Sequence, residues 1–188
     1  MSLLQEYHEG LICLSACLGG LLPQLILRGE EEKAKQAAKD FQGLFGDDYY
    51  LELQDHGLPD QQKVNAALID LSEKLKIELV CTNDAHYCRK ADAENQAVLM
   101  CIQTNEVIEN GRPIGFETDE FYIKSVDEME ALFGHIPNAL ENTAIIAEKC
   151  NFDFEFGKLH LPAYQTENGL SAKEMLHKIV ERGFLKKL

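Results

Sequence analysis

Ile77-Glu78-Leu79-Val80-Cys81-Thr82-Asn83-Asp84-Ala85-His86-Tyr87 is the stretch whose reading decides the fold. An apolar run closed by Asp-x-His reads as a buried strand carrying two metal-ligand side chains at its carboxyl end. Side chains two apart in a strand point to the same face, which would let Asp84 and His86 converge on one ion. One carboxylate and one imidazole suit a borderline divalent metal such as zinc, manganese or iron. The same spacing also fits a strand-end turn in which Asp84 caps the next segment and His86 is an ordinary polar residue.

Working outward, two more apolar runs share this punctuation. Leu11-Ile12-Cys13-Leu14-Ser15 ends at Ala16-Cys17-Leu18-Gly19-Gly20, and Tyr49-Tyr50-Leu51-Glu52-Leu53 ends at Gln54-Asp55-His56-Gly57. Each run is followed by a helical pattern, and that alternation predicts an α/β fold with parallel strands and crossover helices. Functional groups gather at the carboxyl ends of strands in such folds. Cys17, His56, Asp84 and His86 all fall at such ends. Asp55-His56-Gly57 also reads as a turn into a helix opened by Pro59, and this is the reading adopted for His56.

The helices are well marked. Glu30 to Leu44 carries Ala34, Ala37, Ala38, Phe41 and Leu44 on one stripe and closes at Gly46. Pro59 to Leu75 places Val64, Leu68, Leu71 and Leu75 on a buried face. Lys90 to Thr104 puts Ala93, Ala97, Met100 and Cys101 inward. Asn105 to Phe116 reads as a loop and Phe121 to Lys124 as a short strand-like run. Ser125-Val126-Asp127-Glu128 is a capping box for a helix to about Phe133. Pro137 is expected to open another helix to about Cys150, with Leu140, Ala144 and Ala147 inward. Phe152 to Pro162 is extended and alternating, and Ser171-Ala172-Lys173-Glu174 opens a final helix running to Leu188.

Composition sets wider bounds. The 188 residues carry a net charge of −14, with 18 basic against 32 acidic side chains. A surface that neutralises phosphates needs clustered Lys and Arg, and the clear basic cluster here is Lys186-Lys187. This stretch is therefore not expected to grip nucleic acid itself. No run is long enough to span a membrane and no signal-peptide pattern is visible. Cys13, Cys17, Cys81, Cys88, Cys101 and Cys150 form no Cys-x-x-Cys pair, which fits reduced thiols in a cytoplasmic protein. Cys13, Cys17, Cys88 and His86 lack the spacing of a standard zinc module. His8, His135, His160 and His177 are isolated and read as surface or capping residues. Asp47-Asp48 and Asp119-Glu120 read as loop charges.

Taken together, the ordered blocks Glu9-Gly10-Leu11-Ile12, Leu14 to Gly20, Tyr50 to Gly57, Thr82 to Tyr87, Phe116-Glu117-Thr118-Asp119-Glu120-Phe121-Tyr122 and Pro137 to Thr143 resemble the alpha-subunit family of bacterial DNA polymerase III. The resemblance runs from about residue 9 to 165. It implies that residues 4–150 are the second half of a polymerase-and-histidinol-phosphatase (PHP) domain, a partial distorted (β/α)7 barrel, and that 151–188 begin the polymerase core as a mostly helical segment. It implies that Cys17, Asp84 and His86 are metal ligands, for zinc or manganese, in the intact domain.

The same resemblance implies a parent chain that carries out template-directed DNA synthesis. Its magnesium-holding aspartates would lie outside this stretch, as would the upstream His-x-His ligands, and the chain reads as cut from something longer at both ends. No catalytic residue is expected here. The implied partners are the rest of the alpha subunit, DNA, a proofreading exonuclease subunit and a sliding clamp. A barrel lacking its first strands exposes a sheet edge, which predicts self-association. A stand-alone histidinol-phosphatase-like phosphoesterase is the alternative, but it needs the upstream ligands in the same chain.

Overall fold

The computed structural model describes residues 2–107, 115–166 and 169–186. The middle of the expected Asn105–Phe116 loop and the terminal Lys187 and Leu188 lie outside the described residues. Two compact units are present, Met1–Asn151 and Phe152–Leu188.

The first unit is a mixed α/β arrangement around three parallel strands in the order β1-β2-β3. These are β1 (Cys13–Leu14), β2 (Tyr49–Leu53) and β3 (Leu79–Cys81). Cys13 lies opposite Tyr49, and Leu51 and Leu53 lie opposite Leu79 and Cys81. A short helix α1 (Ser2–Tyr7) precedes the sheet. The β1–β2 connection contains α2 (Leu21–Leu27) and α3 (Glu31–Phe45), and the β2–β3 connection contains α4 (Pro59–Leu75). Parallel neighbours need such crossovers because a tight turn cannot return the chain to the same end of the sheet.

Burial follows the two periodicities. Tyr49, Leu51, Leu53, Leu79 and Cys81 enter one core with Ala34, Ala37 and Ala38 of α3 and Val64, Leu68 and Leu71 of α4. The even-numbered strand residues face the other side, and there the chemistry turns polar beyond Tyr50 and Val80: Glu52, Gln54 and Thr82 lie along it. Leu51, Leu53 and Leu68 are fully buried. Each contributes roughly 1.5–3 kcal/mol relative to leaving it exposed. Gly46 closes α3 at φ +57°, as its position in the sequence predicts.

Several expectations need correction. Helix α2, which carries buried Leu22, Pro23, Leu25 and Ile26, lacks a marked boundary in the sequence apart from the flanking glycines. Helix α5 (Ala93–Thr104) follows a 3-10 turn at Lys90–Asp92. Of its predicted inward residues only Cys101 is fully buried; Ala93, Ala97 and Met100 are half-buried. Helix α6 (Val126–Phe133) starts at the expected capping box. Helix α7 (Glu141–Lys149) starts four residues after Pro137, because Asn138 adopts a left-handed φ of +61° and turns the chain first. That shift rotates the buried face: Ala139 and Asn142 point inward, while Ala144 and Ala147 are exposed.

The turn before α7 has a clear task. Ala139 offers its carbonyl to the Cys81 N–H at 3.0 Å, and the Asn142 amide donates to the Leu79 carbonyl at 2.8 Å. The outer edge of β3 is thereby covered, and an exposed edge is what invites strand pairing between chains.

The second unit holds an extended stretch and α8 (Ala172–Leu185), again opened by the predicted capping box. No described residue of α8 is buried. The alternating run at 152–162 forms no strand there, and Phe152, Phe154, Phe156, Leu159 and Leu161 are exposed.

Candidate metal centre

Strand β3 stops at Cys81, so Asp84 and His86 do not converge by the pleat of a strand. Asp84 takes φ +44°, a left-handed conformation that Asp tolerates better than most residues. The turn brings Asp84 Oδ1 to 3.5 Å from His86 Nε2, with both side chains partly open to solvent. The predicted pair is therefore together, by a turn rather than by strand alternation.

Donor spacing allows a test of fit. Two ligands at about 2.0–2.1 Å from a tetrahedral zinc stand roughly 3.3 Å apart. The Asp84–His86 separation matches that closely, and one hard and one borderline donor suit zinc or manganese. Cys17 does not join them: among the described residues, no three His, Cys, Asp or Glu side chains form a group able to hold a metal ion. Cys17 is exposed in the turn after β1. It lines a small hollow of about 10 Å³ with Glu52, Gln54, Gln61 and Asn65, close to the room one water needs.

The turn carrying Cys17 is tightly wound. Ala16 lies at φ +67°, and a Cβ at Gly20 would sit 2.5 Å from the Ser15 carbonyl oxygen. A non-glycine residue in this region costs of order 1–3 kcal/mol and persists only where its surroundings over-determine it. Those surroundings are polar. Ser15 Oγ accepts from the Glu52 N–H at 2.8 Å, and Glu52 Oε1 accepts from Thr82 Oγ1 and from the Gln54 amide. The residues that follow β1 and β3 are thus tied to β2 at one end of the sheet. Gln54 is buried and its Oε1 has no protein partner.

The Asp84 turn is held from several sides. His86 N–H donates to the Phe121 carbonyl at 2.8 Å, and the Lys124 N–H donates to Asn83 Oδ1 at 3.2 Å. The expected strand at 121–124 is reduced to one parallel bridge, Tyr87 with Tyr122. The His86 ring lies 4.5 Å from Phe116 and 5.7 Å from Phe121 between centroids. An open hollow of about 520 Å³ lies alongside, lined in part by Tyr87, Glu94, Phe116 and Asp119. Asp119 and Glu120 are more than loop charges, since both pair with Lys90.

His56 forms the expected turn, with Asp55 Oδ1 accepting from the N–H of Gly57, itself at φ +75°. The sequence reading missed that His56 is also buried, at 1 % exposure. Gln61, in the first turn of α4, is its partner. That signal was available in principle, since a polar residue on the Val64–Leu68–Leu71 face must find a buried partner.

The six cysteines are free thiols. Cys81 is buried and its thiol is pushed up to about 12 by desolvation, which leaves it unreactive. Cys17, Cys88 and Cys150 are exposed.

The PHP domain profile matches residues 1–56. Over 183 residues the chain is 43% identical to DNA polymerase III subunit alpha of Treponema pallidum, covering 96% of this chain and 16% of that protein. It is 48% identical over 163 residues to the subunit of Borreliella burgdorferi, covering 86% of this chain and 14% of that protein. The Deinococcus radiodurans subunit matches at 38% over 193 residues, 98% of this chain and 14% of the relative. The chain is thus homologous over nearly its whole length to part of the DNA polymerase III alpha subunits. It spans about a sixth or less of the length of these curated relatives.

Proposed function

We propose that this chain is a segment of a bacterial replicative DNA polymerase alpha subunit, comprising the later half of its PHP domain (residues 4–150) and the start of its polymerase core (151–188). The observation that carries this reading is the 43% identity across 96% of the chain. In the whole subunit the first unit would complete a (β/α)7 barrel, and Asp84, His86 and Cys17 would contribute to its divalent-metal cluster. DNA synthesis itself would belong to the magnesium site of the parent, outside this stretch. The other partners proposed are the remainder of the subunit, DNA, the proofreading exonuclease subunit and the sliding clamp, in the cytoplasm. Among the described residues no helix is long and apolar enough to cross a membrane.

Within the segment, Asp84 and His86 would hold the metal through one carboxylate oxygen and one imidazole nitrogen. In the whole subunit, a divalent ion held by these residues would supply a polarised water for attack on a phosphodiester. The chain's own residues contribute placement: the left-handed turn at Asp84 sets the donor separation, and the Phe116 and Phe121 rings limit how far His86 can swing.

The test is metal content per chain after gel filtration, compared with an Asp84→Ala, His86→Ala variant. Zinc or manganese carried by the chain and lost from the variant supports the reading. Metal carried equally by both contradicts the assignment of these two ligands. The outer side of β1 gives the second expectation, self-association, and a monodisperse monomer by light scattering contradicts it.

A further inference from the structure

We infer that His56 is a positioning residue for the Asp84–His86 turn: a neutral, buried imidazole that holds the turn from below. The inference rests on the metal-centre reading for its purpose, but its geometry stands by itself.

Every polar atom of His56 is used. Its N–H donates to Gln61 Oε1 at 2.8 Å, which leaves the Gln61 NH2 facing His56 Nδ1 at 2.7 Å. An amide NH2 can only donate, so Nδ1 must accept and the ring proton sits on Nε2. That proton is donated to the Asn83 carbonyl at 2.8 Å, one residue before Asp84. The His56 carbonyl accepts from Thr118 Oγ1 at 2.9 Å. The ring stacks on Phe121 at 4.0 Å and 10°, and Phe121 in turn supplies the carbonyl that takes the His86 N–H.

The consequence follows from where these bonds end. Asp84 has a left-handed backbone, and such a residue keeps that conformation only while its neighbours are held. The peptide joining Asn83 to Asp84 is pinned by His56, and the far side of the turn is pinned by Phe121. His56 touches both. Gln61 fixes the tautomer that makes the first contact possible, so α4, the β2 exit and the post-β3 turn are coupled through one ring. Loss of the ring would free the Asn83–Asp84 peptide and let the 3.5 Å donor separation relax. Removing such supporting partners commonly weakens metal affinity 10–100-fold.

The experiment uses the whole chain and two readouts. His56→Phe keeps a ring against Phe121 and removes the bonds to Asn83 and Gln61. Without metal, the strong intraresidue HN–Hα NOE of Asp84 reports its positive φ, and the His86 ring nitrogen shifts report the contact with Asp84. In His56→Phe both are expected to move toward averaged values while circular dichroism retains the native helix content. If His56→Phe does not fold, Gln61→Met, which frees the tautomer, is expected to move the same signals by a smaller amount. Unchanged signals in a folded His56→Phe, or in Gln61→Met where His56→Phe fails to fold, overturn the inference. Manganese titration of the chain, Asp84→Ala and His56→Phe then separates the two ideas. Equal affinity in the chain and Asp84→Ala overturns the metal reading alone. Loss in Asp84→Ala with none in His56→Phe overturns the positioning role alone.

Discussion

The two compact units share their local helix signals and differ in almost everything else. Ser125 with Glu128 and Ser171 with Glu174 build the same reciprocal capping box, each serine accepting from the N–H three residues on. Helix α6 then buries Phe133 against the first unit's core, whereas α8 leaves Leu176, Val180 and Phe184 in solvent. The backbone tells the same story. In the first unit, Ala16, Lys76, Asp84, Asn105 and Asn138 all hold positive φ; among the described residues of the second, only Gly157 and Gly169 do. A dense core can hold a residue in an unfavourable conformation, and a helix without one cannot. Capping begins a helix, but burial decides whether the surrounding chain has a fixed shape.

The largest expected break between the units is in hydrogen exchange. Amides of Leu51, Leu53 and Cys81 should exchange only through global opening, orders of magnitude more slowly than those of Ile179 and Val180. Comparable protection in α8 would mean that a core encloses it in solution.

Next in size are the paired truncations. Leu68→Ala should cost about 2–5 kcal/mol, since the side chain is fully buried and its neighbours close the gap only in part. Leu176→Ala should stay within about 0.5 kcal/mol. Urea denaturation measures both, and similar values would erase the distinction.

A smaller effect is expected at the turn after β1. Ala16→Gly relieves a left-handed alanine and should stabilise the first unit by about 1 kcal/mol. Destabilisation there would mean that Ala16 is not strained in solution.

The smallest contrast lies between the capping boxes. The Tyr122 hydroxyl donates to Glu128 at 2.5 Å, and with Ser125 it holds the Glu128 carboxyl down at about 2. Glu174 is lowered by Ser171 alone. A carboxyl whose folded value is depressed contributes stability that is complete above its ordinary value and is lost as pH falls through the folded one. The α6 box should therefore weaken between about pH 4.5 and 2. Carboxyl carbon shifts read by NMR should show Glu174 titrating at higher pH than Glu128, and coincident titrations would remove the Tyr122 contribution.

Much of this was legible in the residues themselves. The three strand runs, the 3.6-residue stripes of α3 and α4, both capping boxes and the Gly46 stop are local patterns, and local patterns survive without knowledge of the neighbours. The misreadings all came from non-local effects. Pro137 looked like a helix start, but Ala139 and Asn142 were needed at the edge of β3, and a left-handed Asn138 delivers them there. Ala93, Ala97 and Met100 looked inward by periodicity, yet what a helix face meets is set by partners distant in sequence.

The site divides in the same way. The sequence by itself singled out Asp84 and His86 at a strand end as candidate metal donors, because donor type and local spacing are properties of the chain. Only the tertiary structure decided how they meet. The strand ends at Cys81, a left-handed residue turns the chain, and His56, Gln61 and Phe121, from outside that turn, hold the donors 3.5 Å apart. Those contacts join residues 5 to 65 positions apart, and no short-range pattern encodes them.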